Sequence, residues 1–279
     1  MDLGKRLAMV ASLIEPADTM ADVGCDHGYL SIYLVEQKRC RRVIAMDVNK
    51  GPLQKARENI QKYGYGDYIE TRLSDGLNKL RMNEAEGFVC AGMGGPLALE
   101  ILWNDRDKIK DMKQIVLQPQ SELWMVRRIL KQWGFEIEKE DIEYEDGKYY
   151  FMMRIRPTEN LNMENFPQNE SLFGYNYAMA EETENASEYP EWMSMDPIGF
   201  EMISEEEIQS LAYELFAREL LEAKNPLLYE YIRKEERRLL EIYASLFKQE
   251  DSPKCRERMA TVEKEIVIHQ WALSQYETE

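Results

Sequence analysis

The chain has 279 residues, 44% of them hydrophobic, and a formal net charge of -17. The apolar content supports a packed core, and no run approaches the roughly 18 uninterrupted apolar residues of a membrane-crossing helix. Four cysteines without a CxxC pair and only two histidines exclude a zinc site of the usual spacing, and they fit a reduced, cytoplasmic protein without a structural metal.

The charge is unevenly spread. Residues 1–156 hold 24 basic and 25 acidic side chains, whereas residues 157–279 hold 11 and 27. Within the second part, residues 157–207 have 13 acidic residues and no Lys or Arg. Whole-chain charge therefore says little about what the first 156 residues bind.

Leu7 to Ile14 is a short helix-periodic run that leads into a strand and not into a small-residue cleavage site, so a secretory signal is not expected. Strand-like and helix-like segments then alternate. Met20–Val23 reads as a strand, Tyr29–Gln37 as a helix, Arg42–Met46 as a strand, and Gly51–Tyr63 as a helix with Pro52 in its first turn. Tyr68–Leu73, Gly87–Ala91 and Gln114–Leu117 read as further strands, and Ser121–Trp133 as a helix capped by Ser121. Phe135–Tyr144 and Lys148–Ile155 flank Asp146-Gly147, a hairpin turn signal. The alternation predicts an α/β doubly wound parallel sheet, with one antiparallel strand at or near its edge.

Residues 157–207 read as an acidic, mostly irregular linker or insertion with four prolines, and Phe166, Phe173, Tyr175, Tyr177, Tyr189 and Trp192 are candidates for docking on a surface. Residues 208–279 return to helical periodicity. Ser204 to Glu207 is a capping box. Asn225-Pro226 and Pro253 start two long amphipathic helices, which predicts an antiparallel, coiled-coil-like hairpin domain.

Four loops after predicted strands carry candidate chemistry. Asp22-Val23-Gly24-Cys25-Asp26-His27-Gly28 opens a helix, and its glycines let backbone approach a ligand. A dinucleotide site would show G-x-G-x-x-G, and Asp26 puts a carboxylate where a pyrophosphate would sit. That disfavours a nicotinamide cofactor, although an ordinary strand–helix turn would also satisfy the pattern. Asp47 lies 23 residues after Gly24 and suits the two hydroxyls of a ribose, a feature nicotinamide folds share. Ser74-Asp75-Gly76 suits an adenine amino group, or a simple turn. Ala91-Gly92-Met93-Gly94-Gly95-Pro96 follows the fourth strand, where a substrate is presented. Gln118-Pro119-Gln120 offers amides to a base edge, or closes a loop.

Taken together, Gly4-Lys5-Arg6-Leu7, Ala21 to Leu30, Val48 to Pro52, Ser74 to Leu77, Ala91 to Gly95, Leu117 to Gln120 and Glu145-Asp146-Gly147-Lys148 resemble the bacterial tRNA (adenine-22-N1)-methyltransferase family. The resemblance covers residues 1–156 and resumes at Lys224 to Leu228. It implies a Rossmann-like class I methyltransferase domain over residues 1–156, followed by the helical hairpin domain. It implies S-adenosyl-L-methionine as methyl donor, S-adenosyl-L-homocysteine as product, and tRNA as acceptor, methylated at N1 of a D-loop adenine. It assigns Asp22, Gly24, Cys25, His27, Gly28, Asp47, Val48, Asp75, Gly76, Ala91, Gly92 and Met93 to the cofactor. It assigns Lys5, Arg6, Gly94, Gly95, Gln118, Pro119 and Gln120 to the acceptor, and Asp26 and Tyr29 to catalysis. Residues 157–207 depart from the pattern in length and acidity, and Cys25 stands where serine is expected.

The chemistry so implied is simple. N1 of neutral adenine has an in-plane lone pair, so positioning is the main need. Positive charge then develops toward the exocyclic amine, where Asp26 is the first candidate to stabilise it and accept its proton. Asp22 is expected to serve the cofactor or the turn, Tyr29 to stack, and His27 to be structural. N1 faces the pairing partner in a duplex, so the target base must be unpaired or flipped out. Lys5 with Arg6, Lys38-Arg39 with Arg41-Arg42, and Arg127-Arg128 are candidate phosphate contacts. Arg233-Lys234 and Arg237-Arg238 either join them or pair with neighbouring glutamates. A monomer is the expected state. Two other functions remain open from the residues: methylation of a small molecule or protein, and a non-catalytic module that docks a partner on the hairpin.

Overall fold

The computed structural model describes residues 3–163, 204–248 and 252–277. The chain divides into two compact units, Met1–Phe166 and Pro167–Glu279. Most of the acidic stretch, with all six of its aromatic candidates, lies outside the described residues.

The first unit is a seven-stranded sheet of order β3-β2-β1-β4-β5-β7-β6. Its strands are β1 (Ala17–Val23), β2 (Cys40–Asp47), β3 (Ile69–Leu73), β4 (Gly87–Met93), β5 (Gln114–Pro119), β6 (Phe135–Glu145) and β7 (Lys148–Pro157). The first five run parallel, and β7 enters antiparallel to β5. β5 is buried along all six residues, and β1 along its last four. Continuous burial is what a parallel strand covered on both faces requires, and it explains why these segments read as apolar runs and not as alternation. Met20, Val43, Val89 and Val116 contribute to the core from four of the strands.

The hairpin turn forms where Asp146-Gly147 predicts it. Both residues have positive φ (49° and 82°), as a type I′ turn needs. Tyr144 and Tyr149 then face each other across the two strands, with ring centroids 4.7 Å apart.

The helices of this unit are α1 (Gly4–Leu13), α2 (Tyr29–Glu36), α3 (Lys50–Lys62), α4 (Gly95–Asn104), α5 (Arg106–Ile109) and α6 (Leu123–Trp133). Two differ from expectation, and the four-residue α5 is too short to show a helical period. Ser121 does not cap α6; its hydroxyl instead accepts the Gly95 N–H at 3.2 Å, joining the starts of α4 and α6. The α4 helix begins inside the glycine run, with Gly94 as N-cap and Pro96 in its first turn. That run reads as loop by composition, so the helix it opens is hidden in the sequence.

The second unit contains α7 (Glu205–Phe216), the short α8 (Arg218–Glu222), α9 (Pro226–Leu246) and α10 (Pro253–Glu277). Ser204 caps α7 by accepting the Glu207 N–H at 3.2 Å. Asn225 caps α9 through Leu227 and Leu228 at 2.9 and 3.1 Å. The α9–α10 pair is antiparallel. Tyr276 Oη donates to Asn225 O at one end, Tyr243 Oη to Glu263 near the middle, and Cys255 Sγ reaches Leu246 O at the other. Leu239, Val262 and Ile266 fill the seam. Phe216 meets the buried His269 edge-on at 4.8 Å. The short α8 had no sequence signal, because five residues are too few to show a helical period. No helix among the described residues is long and apolar enough to cross a membrane.

One ion pair is fully enclosed. Arg127 Nε donates to Glu140 Oε1 at 2.8 Å with both side chains about 5% exposed, and the guanidinium lies over Phe151. Arg127 is therefore built into the domain and not presented to a phosphate. We predict that Arg127→Leu destabilises the protein by about 3–5 kcal/mol, because it strands a buried carboxylate, and that adding Glu140→Leu restores much of the loss. Urea denaturation of the two variants checks both parts.

Candidate functional site

In this strand order the connections leave β1 and β4 in opposite directions. The crevice at the C-terminal ends of these two strands is therefore the switch point at which open α/β sheets bind ligands. Val23, Asp47, Leu73 and Met93 end β1 to β4 there.

The turn after β1 is built from backbone. The N–H groups of Gly24 and Cys25 both donate to Met46 O, at 2.8 and 2.9 Å, and tie the turn to the end of β2. Gly28 N–H returns to Cys25 O at 2.7 Å, and Asn59 Nδ2 donates to His27 O at 3.0 Å. Gly24 has φ +74°, and a Cβ there would overlap Met93 Cε. A side chain is thus disfavoured by backbone conformation, and the flexible end of Met93 fills the adjoining space. Asp26 also has positive φ (46°), a region that Asp tolerates, and its side chain is 68% exposed at the crevice mouth. His27 Nε2 lies 3.6 Å from Asp26 Oδ2, and the His27 ring stacks on Tyr29 at 5.9 Å. Tyr29 is 40% exposed. Cys25 is buried, which pushes its thiol well above the ordinary range.

The carboxylates divide by environment. Asp22 is buried at 3% exposure and accepts Ser31 Oγ at 2.5 Å. Burial pushes its carboxyl up from 3.8 to about 6, partly offset by the Ser31 bond. Asp47 is buried at the end of β2; its Oδ1 accepts Asn49 N–H at 2.7 Å and its Oδ2 accepts Asp26 N–H at 3.3 Å. Asp75 is exposed. The buried Ser74 before it donates to Gly76 O at 2.9 Å and accepts from Lys79 N–H, which shapes the third loop. Val48 is 60% exposed beside Asp47.

The fourth loop begins inside β4. Register against β5 slips between Ala91 and Met93, so Gly92 (φ +87°) is a bulge residue. Met93 Sδ lies 3.3 Å from Cys90 Sγ, and Met93 O accepts Gln120 N–H at 2.8 Å. Gln118 is 1% exposed: its Oε1 accepts Arg6 Nη1 at 2.7 Å, and its Nε2 donates to Pro119 O at 3.2 Å. Pro119 is buried, Gln120 exposed, Gly94 half-buried and Gly95 buried. Lys5 is exposed, and its N–H donates to Glu145 Oε1 at 2.5 Å.

The fold brings together the Asp22–Gly28 turn, Asp47, Asp75, Gly92–Gly95, Gln120 and Arg6 at one end of the sheet. Other cations lie elsewhere. Lys38, Arg39 and Arg41 line an open groove of about 810 Å³ with Tyr65 and Tyr68 at the N-terminal end of β1 and β2. There Arg41 pairs with Asp18 at 2.6 Å, and Arg39 Nη1 donates to Ile14 O. Arg128 lies over Trp124, Arg233 over Tyr229, and Arg238 pairs with Glu235 at 2.9 Å. Sequence reasoning singled out Ser74 and Glu145 within their motifs but not their contacts, and it did not single out Ser31, Asn59 or Tyr150, whose partners Asp22, His27 and Arg6 lie nine or more residues away and leave no periodic or motif signal. Among the described residues, no group of three or more His, Cys, Asp or Glu is placed to hold a metal ion.

The methyltransferase domain family model matches residues 3–153. Over 150 residues the chain is 35% identical to a tRNA (adenine(22)-N(1))-methyltransferase of Bacillus subtilis, a match that covers 54% of this chain and 63% of that protein. The crystal structure of the B. subtilis M1A22 tRNA methyltransferase TrmK is similar with a TM-score of 0.73 at 23% identity, covering 98% of this chain and 99% of that one. The M. capricolum TrmK structure in complex with S-adenosyl-homocysteine is similar with a TM-score of 0.69 at 23% identity, again covering 98% and 99%.

Burial of Asp22 makes a pH-dependent prediction. Its folded-state pKa is raised, so its contribution to stability is fully present below pH 3.8 and is lost as pH rises through about 6. Asp22→Asn cannot titrate. The stability of this variant relative to wild type should therefore rise by about 2 kcal/mol between pH 4 and pH 7.5, read by chemical denaturation at each pH.

Proposed function

The chain belongs to the methyltransferase domain family, and from that premise we propose that it transfers a methyl group from S-adenosyl-L-methionine to N1 of an adenine in the D-loop of tRNA, at position 22. The carrying observation is the conjunction, at the sheet's switch point, of a side-chain-free turn at Gly24, a buried acceptor at Asp47 and an exposed carboxylate at Asp26. The name of the 35% identical B. subtilis relative supports the acceptor.

The residues present fit the donor. Each oxygen of Asp47 accepts one backbone N–H and keeps acceptor capacity for a ribose hydroxyl. Gly24, Cys25, His27 and Gly28 offer backbone along the turn, with Asp22 fixing the turn from beneath through Ser31. Val48, Asp75 and Gly76 border the adenine side, and Ala91, Gly92 and Met93 close the opposite wall. When bound, the donor supplies a methyl group carried on a positively charged sulfur.

The chain's own part is to orient and to stabilise charge. Gly94, Gly95 and Gln120 line the acceptor side of the crevice, with Gln118 and Pro119 buried behind them as its backing. Tyr29 offers an exposed ring for the base to stack on. Asp26 faces the exocyclic amine of the target base, where it stabilises positive charge on the ring and accepts the amine proton. This chemistry needs no metal, because the ring nitrogen is already nucleophilic. Residues 1–156 carry out the transfer as a monomer in the cytoplasm. Residues 208–279, joined through the acidic segment 157–207, hold tRNA away from the target base.

Two variants separate the roles. Asp26→Asn should keep donor affinity and lower kcat by about 100-fold; a near-normal kcat would overturn the role given to Asp26. Asp47→Ala should weaken donor binding by about 10-fold or more through lost charge-assisted hydrogen bonds. Calorimetric titration with the donor, and transfer of labelled methyl to unmodified tRNA, give both readings. Donor binding without any transfer to tRNA would contradict the acceptor.

A further inference from the structure

The N-terminal helix reaches the site through Arg6. Glu145, the last residue of β6, accepts the Lys5 N–H at 2.5 Å and places a carboxylate at the start of α1. This fixes the first turn of α1, and Arg6 projects from it. The Arg6 guanidinium touches three strands. It donates to Gln118 Oε1 on β5 at 2.7 Å, lies 5.5 Å over the Tyr150 ring of β7, and stands above Gly92 of β4. A Cβ on Gly92 would sit 3.7 Å from both Arg6 Nη1 and Gln120 Nε2. These two groups therefore both border the space over the bulge, which Gly92 leaves free of a side chain. Gln118 has one end held by Arg6 and the other by Pro119 O, so its amide has a fixed orientation.

We propose that Arg6 is a positioning residue for the acceptor: its guanidinium locks Gln118 and, with Gln120, sets the wall against which the target base is held above Gly92. A guanidinium suits this role because its planar fork has five donors in fixed geometry, so one bond to Gln118 orients the others toward that space. A lysine keeps the charge and loses the plane. The inference rests on the tRNA reading above and adds to it which group orients the acceptor.

The effect belongs on turnover and acceptor KM more than on the donor, because the hydrogen bonds of Asp22, Gly24 and Asp47 run to Ser31, Met46, Asn49 and Asp26 and not to Arg6. Arg6→Ala should bind S-adenosyl-L-methionine with wild-type affinity and lose about 100-fold in kcat/KM for tRNA. Arg6→Lys should recover only a small part of the loss. Guanidinium ion at tens of millimolar should restore a measurable part of the rate to Arg6→Ala and none to Arg6→Lys, where the ammonium fills the space; a purely structural role for the side chain predicts no such rescue. Gln118→Ala combined with Arg6→Ala should cost no more than Arg6→Ala alone, because the two act as one unit. Wild-type tRNA kinetics in Arg6→Ala would overturn the inference, as would a loss of donor affinity equal to the loss of turnover. If wild type transfers no methyl group to tRNA, the acceptor reading falls and takes this inference with it; if wild type transfers and Arg6→Ala matches it, the inference alone falls.

Discussion

Two backbone hydrogen bonds, from Gly24 and Cys25 to the carbonyl oxygen of Met46, hold the site in shape. They fold the end of β1 against the end of β2, so that chain and not side chain lines the crevice. Gly24 takes positive φ because no other residue is as free there, and Asp26 follows it into the left-handed region. The same fold-back turns Asp26 outward and brings its N–H to Asp47. One carboxylate becomes buried and the other exposed within a few ångströms of chain. That contrast underlies the separate roles proposed for Asp47 and Asp26.

The fourth loop meets the same demand by another route. A bulge at Gly92 interrupts regular pairing of β4 with β5, and α4 starts three residues later. The crevice therefore has glycine backbone on both sides, with the Met93 side chain reaching across against Gly24. Around this centre the polar side chains are held at a distance and oriented by others: Asp22 by Ser31, Gln118 by Arg6, and the start of α1 by Glu145.

Much of this was legible in the sequence. Runs of buried apolar residues marked the parallel strands, Asp146-Gly147 marked the hairpin, and Ser204, Asn225-Pro226 and Pro253 marked the C-terminal helices. The loops after β1 to β4 were legible as candidates because glycine and carboxylate recur at their strand ends. Other features were not. The glycine run concealed the start of α4, and Ser121 resembled a helix cap while serving a different helix. The meeting of Gly4 to Leu7 with Glu145 to Lys148 was present as two motifs but not as a contact, since 140 residues separate Lys5 from Glu145. Basic pairs misled for a physical reason. Arg127 looks like Arg128 in sequence, yet one is buried against Glu140 and the other lies over Trp124. Charge in a sequence does not say which cations are already spent.

The account stands on what receives the methyl group. The most direct measurement is nucleoside mass spectrometry of an unmodified tRNA transcript after incubation with the protein and S-adenosyl-L-methionine, alongside a transcript whose adenine 22 is replaced by guanine. The account predicts 1-methyladenosine in the first and none in the second. Methylation that persists in the substituted transcript, or a different methylated nucleoside in either, would contradict it.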